Sequence, residues 1–227
     1  MDQQQAPLIG IVGGVGSGKS AVAGWVAEHC HGRLIDADVA GHEVLFQSDV
    51  KAALQREFGG AIFVDGEIDR RRLAGLVFGS EPEQAAARSK LERLVHPVMG
   101  KMIKDRIDAA RQDKHVALVV LDAAILLESG WRDGCDAVAF VDVPREERLR
   151  RVAATRGWSS DEFTRREASQ WPLDRKREAA DVVIDNSGSV EQAGRQLAGY
   201  LIGQGWLRTL PQDAGSSRRE VDSPALT

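Results

Sequence analysis

The sequence predicts an α/β fold built on a parallel five-stranded sheet. Three observations predict it: five short apolar runs, helix-like stretches between them, and a glycine-rich segment directly after the first run. Runs this short and rich in Val, Ile and Leu suit strands buried on both faces. Strand-then-helix alternation favours parallel pairing with helices on both sides.

In order, the first run is Leu8 to Val12, followed by a helical stretch, Ala21 to His29. Arg33 to Ile35 is the second. A gap to about residue 115 holds helix-like segments at Ala52 to Phe58, Arg71 to Phe78 and Leu91 to Ala110. A parallel crossover needs only about a dozen residues, so 42–115 reads as an inserted helical lobe. His96-Pro97 interrupts the last segment. Proline steers the residue before it away from helix, which predicts a turn or kink with His96 packed at the junction. Val116 to Leu121, Ala137 to Val143 and Val182 to Ile184 are the remaining runs. An arginine-rich stretch, 145–180, predicts a pair of exposed helices. The core is then 1–41 with 116–210, and 211–227, rich in Pro, Gly, Ser and mixed charge, reads as a disordered tail.

Composition excludes several classes. The 227 residues are 43% hydrophobic and 28% charged, with a formal net charge of −4, so nothing suggests a polyanion-binding surface. Cys30 and Cys135 are the two cysteines, which make neither a metal-ligand spacing nor a disulfide framework. Met1 to Pro7 has no hydrophobic signal core, and no stretch approaches the ~20 apolar residues of a membrane span. The expectation is a cytoplasmic monomer with no nucleic-acid and no membrane partner.

The glycine-rich segment carries the chemistry. Gly13, Gly14, Val15, Gly16, Ser17, Gly18, Lys19 and Ser20 fit G-x-x-x-x-G-K-[ST], the P-loop pattern, at every required position. Backbone N–H groups must converge on phosphate oxygens there, and side chains would obstruct them. The loop opens a helix whose N-terminus favours anions. Lys19 reaches the β and γ phosphates and the Ser20 hydroxyl ligates Mg²⁺. No Asn-Lys-x-Asp run of a guanine reader and no Leu-Ser-Gly-Gly-Gln-like run of a transporter ATPase is present. Small size and the late arginines favour a small-molecule kinase.

Carboxylates end two of the runs, where open parallel sheets bind ligands. Asp36 and Asp38 fall on one side while the chain stays extended. One of them could take the proton of an attacking hydroxyl, and capping the next helix is the alternative for both. Asp122 follows Val116 to Leu121 in the position of a group that holds Mg²⁺ directly or through water, with an N-cap as its alternative. Glu128 is a weaker candidate for the same role, with a plain surface acid as its alternative. Arg148, Arg150, Arg151, Arg156, Arg165 and Arg166 concentrate guanidinium groups suited to phosphate. Most fit a solvated face paired with Glu146, Glu147, Asp161, Glu162 and Glu167. Trp25, Trp131, Trp158, Trp171 and Trp206 are assigned to packing.

Taken together, these residues resemble the dephospho-coenzyme A kinase family from about Leu8 to Tyr200. The resemblance rests on Gly13 to Ser20, Ile35-Asp36-Ala37-Asp38, Asp65-Gly66-Glu67-Ile68-Asp69-Arg70, Leu73, Phe78, Leu91-Glu92 and His96-Pro97. It continues through Gln170, Lys176, Ala180-Asp181 and Ile184-Asp185-Asn186. It implies a P-loop kinase core with a helical coenzyme-binding insert and a helical lid at about 145–180. The implied reaction moves the γ phosphate of ATP, with Mg²⁺, to the 3′-hydroxyl of dephospho-coenzyme A. It further implies Asp38 as the base, Arg156 as a lid arginine, Asn186 near the adenine, and acceptor contacts from Asp38, His42, Arg70 and His96. Three departures are visible: Asp122 to Glu128 lacks the family's proline and phenylalanine, His42 replaces an arginine, and Thr155-Arg156-Gly157 replaces Arg-Asp-Gly. A kinase for another nucleoside or nucleotide, and an ATP-binding regulator without catalysis, are the rival readings.

Overall fold

A computed structural model of the chain describes residues 5–79 and 81–210; the expected tail, 211–227, lies outside them. The five apolar runs form one parallel sheet from β1 (Leu8–Gly13), β2 (Gly32–Asp36), β5 (Leu118–Asp122), β6 (Ala137–Asp142) and β7 (Val182–Asp185), in the order β2-β5-β1-β6-β7. β1 is central. The chain leaves it for β2 on one side and reaches β6 and β7 on the other. The crevice at the carboxyl ends of such strands is where open α/β sheets bind ligands.

Burial on both faces holds for β1, β5 and the core of β6, but not at the edges. Leu34 of β2 and Val183 of β7 are exposed. An edge strand has a neighbour on one side only, so apolar composition alone does not bury it.

One face of the sheet packs α1 (Lys19–His29) and α9 (Val190–Gly203), with Val22, Val26, Leu197 and Leu201 against Ile9, Ile11, Val120 and Ala139. Each of these Val, Ile and Leu side chains contributes about 1.5–3 kcal/mol when removed from water. The other face packs Ile103, Ile107 and Ala110 of α5 (Pro82–Gln112) against Leu8, Val119, Leu121 and Phe140. A third apolar cluster joins Val44, Val50, Leu54, Ile62, Leu73, Val77 and Val95. It comes from α3 (Ser48–Phe58), α4 (Arg70–Val77), the N-terminal half of α5 and the turns near them. The helical lobe thus has its own core, and α5 belongs to both the lobe and the sheet.

Two local features differ from the sequence reading. α5 runs unbroken through His96-Pro97. A proline removes one donor and crowds one carbonyl, which a helix of 31 residues packed on two cores tolerates. The lobe also holds a small antiparallel hairpin, β3 (Phe63–Val64) with β4 (Glu67–Ile68), turned by Asp65 (φ 51°) and Gly66 (φ 80°). Asp-Gly is the composition of such a turn. Among the described residues, no helix is long and apolar enough to cross a membrane.

Candidate active site

The site grows from the turn between β1 and α1. A Cβ on Gly13 would lie 2.6 Å from Ser17 Oγ and 2.8 Å from Val141 O. At Gly16, where φ is 78°, it would lie 2.7 Å from Arg148 O. Crowding therefore reserves both positions for glycine, and at Gly16 the positive φ adds to it. Gly18 caps α1 in the left-handed conformation, and the first turn of α1 holds no acidic residue. Its free N–H groups and partial positive charge are left for an anion.

Three distant residues brace this loop. Arg148 of α6 (Arg145–Arg156), only 3% exposed, donates to Val15 O at 3.1 Å and to Glu167 at 2.5 Å. Asn186, at the end of β7 and 2% exposed, donates to Ser17 O at 2.7 Å. Lys19 Nζ, whose side chain also lies 3.5 Å from Ser20 Oγ, forms an ion pair with Asp122 Oδ1 at 3.2 Å.

Asp122 Oδ1 is buried and, despite that ion pair, receives no hydrogen bond. The Lys19 ammonium balances the carboxylate charge without a hydrogen bond, which leaves Asp122 Oδ1 open to a further cation. A hydroxyl and a carboxylate are hard oxygen donors, the kind Mg²⁺ takes alongside phosphate oxygens and water. Ser20 and Asp122 therefore fit the metal that the resemblance implies. Among the described residues no group of three His, Cys, Asp or Glu could hold a metal, and a site completed by phosphates does not require one.

The loop opens into a cavity lined by Gly13 to Ser20, Asp38, Ala124, Arg156, Trp158, Arg166, Ser169 and Gln170. A second cavity, under the helical lobe, is lined by Asp38, His42, Phe78, Arg88, Leu91, Glu92, Val95, His96, Met99, Ala124 and Ile125, among others. Asp38 and Ala124 line both. Arg70 joins from outside, its guanidinium 2.6 Å from His42 Nε2. Lys19, Asp38 and Arg156 thus share the first cavity, and His42 and His96 share the second with Asp38.

Asp36 and Asp38 do not lie on one side of an extended strand. β2 stops at Asp36, whose carboxylate caps α2 (Ala37–Glu43) by accepting from Asp38 N at 2.8 Å and Val39 N at 3.0 Å. The cap consumes Asp36 and turns Asp38 into the first helical turn, exposed at both cavities.

Other assignments need correction. Glu128 is no surface acid. It accepts from Trp171 N at 2.9 Å and pairs with Lys176 Nζ at 2.9 Å. Lys176 is fully buried on α8 (Leu173–Glu178). Burial pushes its pKa down against the opposing pull of Glu128, and the Lys19 charge lowers it further. The arginine-rich stretch is three helices rather than two, α6, α7 (Ser160–Ala168) and α8. Arg150 and Arg151 pair with Glu147, and Arg165 and Arg166 with Glu162, as a solvated face would. Arg148 leaves that set for the interior. Trp158 is not simply packed: it lines the phosphate cavity, with Arg156 4.8 Å and Arg166 4.2 Å from its ring centroid. Arg166, one of the arginines suited to phosphate, does line this cavity, whereas nothing in the local spacing of Ser169 and Ala124 marks them; the chain brings both to the loop from 100 residues or more away.

A P-loop at the end of a central parallel strand, with a lysine, a hydroxyl and a buried carboxylate converging on it, defines a P-loop nucleotide-binding protein. The model of the dephospho-CoA kinase family matches residues 7–192. The dephospho-CoA kinase of Rhodopirellula baltica is 38% identical over 196 residues, covering 86% of this chain and 89% of its own length. That of Bacillus licheniformis is 39% identical over 193 residues, covering 84% and 92%. A crystal structure of TT1252 from Thermus thermophilus, at 36% identity, superposes with a TM-score of 0.71 over 88% of this chain and 98% of that one. The chain belongs to the dephospho-CoA kinase family.

Proposed function

We propose that this chain phosphorylates dephospho-coenzyme A with ATP, forming coenzyme A and ADP, and that the acceptor atom is the ribose 3′-oxygen. The observation that carries the reading is Asp38, an exposed residue that lines both the phosphate cavity and the cavity under the helical lobe. An acid at that boundary stands where a sugar hydroxyl from one side meets a phosphoryl group from the other.

In this mechanism the N–H groups of residues 13–20 and Lys19 hold the β and γ phosphates. The acceptor lies in the second cavity, its polar groups met by His42, Arg70 and His96 and its carbon chain by Leu91, Val95 and Met99. Asp38 accepts the proton of the 3′-hydroxyl as the oxygen–phosphorus bond forms and the bridging oxygen leaves with ADP. Arg156 faces the charge that spreads over the transferring group. Ser20 and Asp122 would hold Mg²⁺, which supplies neutralisation of phosphate charge. Asn186, whose side chain anchors the Ser17 carbonyl, lies near the adenine of ATP in this reading. Residues 42–115 act as the acceptor-binding insert. The helices of 145–180 close over the phosphates and exclude water, a competing acceptor.

Incubation with ATP, Mg²⁺ and a panel of acceptors tests the assignment. Rapid turnover of dephospho-coenzyme A and little of free nucleosides or nucleotides is expected. Preference for another acceptor, or ATP binding with no phosphorylation at all, would replace this reading by one of its rivals.

A further inference from the structure

Lys176 is the fully buried ammonium of the described core, and the proposed mechanism gives it no task. Its Nζ lies 2.9 Å from Ala124 O, 3.0 Å from Gln170 Oε1 and 2.9 Å from Glu128 Oε1. An ammonium has three donors, and three acceptors surround it. Glu128 Oε1 also receives Trp171 N at 2.9 Å. One charge therefore ties the turn after β5 to the link between α7 and α8.

Two of its partners face the phosphate cavity. Ala124 lies between the two cavities, and Gln170 lines the one around the loop. A lysine can only donate, so it selects the oxygen of the Gln170 amide and leaves the NH₂ end, a double donor, unused by that contact. Charge-assisted contacts to phosphate oxygens are the strong ones, and an amide whose orientation is already fixed makes its contact without a further ordering cost.

We infer that Gln170 is a further nucleotide-binding residue, donating through its side-chain NH₂ to a phosphate oxygen of ATP, and that Lys176 is the positioning residue that orients it. This rests on the phosphate cavity being the ATP site, as proposed above.

Calorimetric titration of the full chain with ATP and Mg²⁺, before any acceptor is added, reads the contact directly. Gln170→Leu is expected to weaken ATP binding on the order of 10-fold. Gln170→Glu keeps an acceptor for Lys176 but loses the donor, so it should weaken ATP at least as much with little change in melting temperature. Lys176→Met should weaken ATP by a factor similar to Gln170→Leu, and Lys176→Arg, which keeps a charged donor for the Gln170 oxygen, should weaken it less. The double variant should be no weaker than the worse single, because both changes remove one contact. Unchanged ATP binding in both Gln170 variants overturns the inference. So does a double variant in which the two losses multiply, since Lys176 would then act independently of Gln170. A wild-type chain that binds ATP but leaves dephospho-coenzyme A untouched defeats the proposed function alone, because this readout needs no acceptor.

Discussion

The Asp36 carboxylate accepts the backbone N–H of Asp38 at 2.8 Å, so the first acid of Asp-Ala-Asp builds the platform for the second. Asp36 is fixed as the cap of α2, and Asp38 is left exposed at the boundary of two cavities.

Different losses should follow from the two acids. Asp38→Asn keeps the shape and removes the proton acceptor. Turnover should fall at least ~100-fold, the usual worth of a general base, with ATP affinity unchanged by calorimetry. Asp36→Ala removes a cap worth about 1 kcal/mol, lowering the melting temperature and disturbing turnover through Asp38. Equal kinetics for wild type and Asp38→Asn would remove Asp38 from the mechanism.

Gly16→Ala tests the crowding of the loop. Its Cβ would meet Arg148 O at 2.7 Å and Val152 Cγ1 at 2.8 Å, at φ 78°. Neither the carbonyl nor a packed valine yields easily. A destabilisation of about 1–3 kcal/mol and weakened ATP binding are expected, read by thermal melting and titration.

Trp158 should report nucleotide. It lines the phosphate cavity between Arg156 and Arg166, and ATP entering there changes the charges around its indole. Tryptophan emission should shift on adding ATP and Mg²⁺, and the shift should disappear in Trp158→Phe. A shift that survives the substitution would place its source at another tryptophan.

Both thiols should resist alkylation at neutral pH. Burial pushes Cys30 and Cys135 up from 9.0 to about 11, so the reactive thiolate is scarce in the folded chain. With the folded pKa above the unfolded one, the stability these groups contribute is complete below pH 9 and is lost as pH rises toward 11. Iodoacetamide labelling followed by mass spectrometry should be slow at pH 8 in buffer and fast in denaturant. Fast labelling of the folded chain at pH 8 would contradict the burial of both sulfurs.

Much of the fold was legible because it is local. Leu8 to Val12 reads as a strand, and the glycines, lysine and serine after it read as a phosphate loop, from adjacent residues alone. The Asp65-Gly66 hairpin carried a readable turn signal that the helical pattern of the lobe overshadowed. His96-Pro97 misled for the opposite reason: tertiary packing along α5 outweighed the local cost of proline. The roles of Arg148, Glu128 and Lys176 were not legible, since each depends on a partner at least six residues away and on burial that the fold creates. Asp36 and Asp38 were found together, but only the helix start at Ala37 separates the cap from the exposed acid.

Transfer from ATP to a sugar hydroxyl at Asp38 fixes both the stoichiometry and the site of the new phosphate. Its most direct test follows ATP, ADP, dephospho-coenzyme A and coenzyme A together by chromatography with Mg²⁺ present, and locates the new phosphate by phosphorus NMR. One coenzyme A per ADP, phosphorylated at the 3′ position, is expected. ADP released without coenzyme A, or a phosphate on another atom, would contradict it.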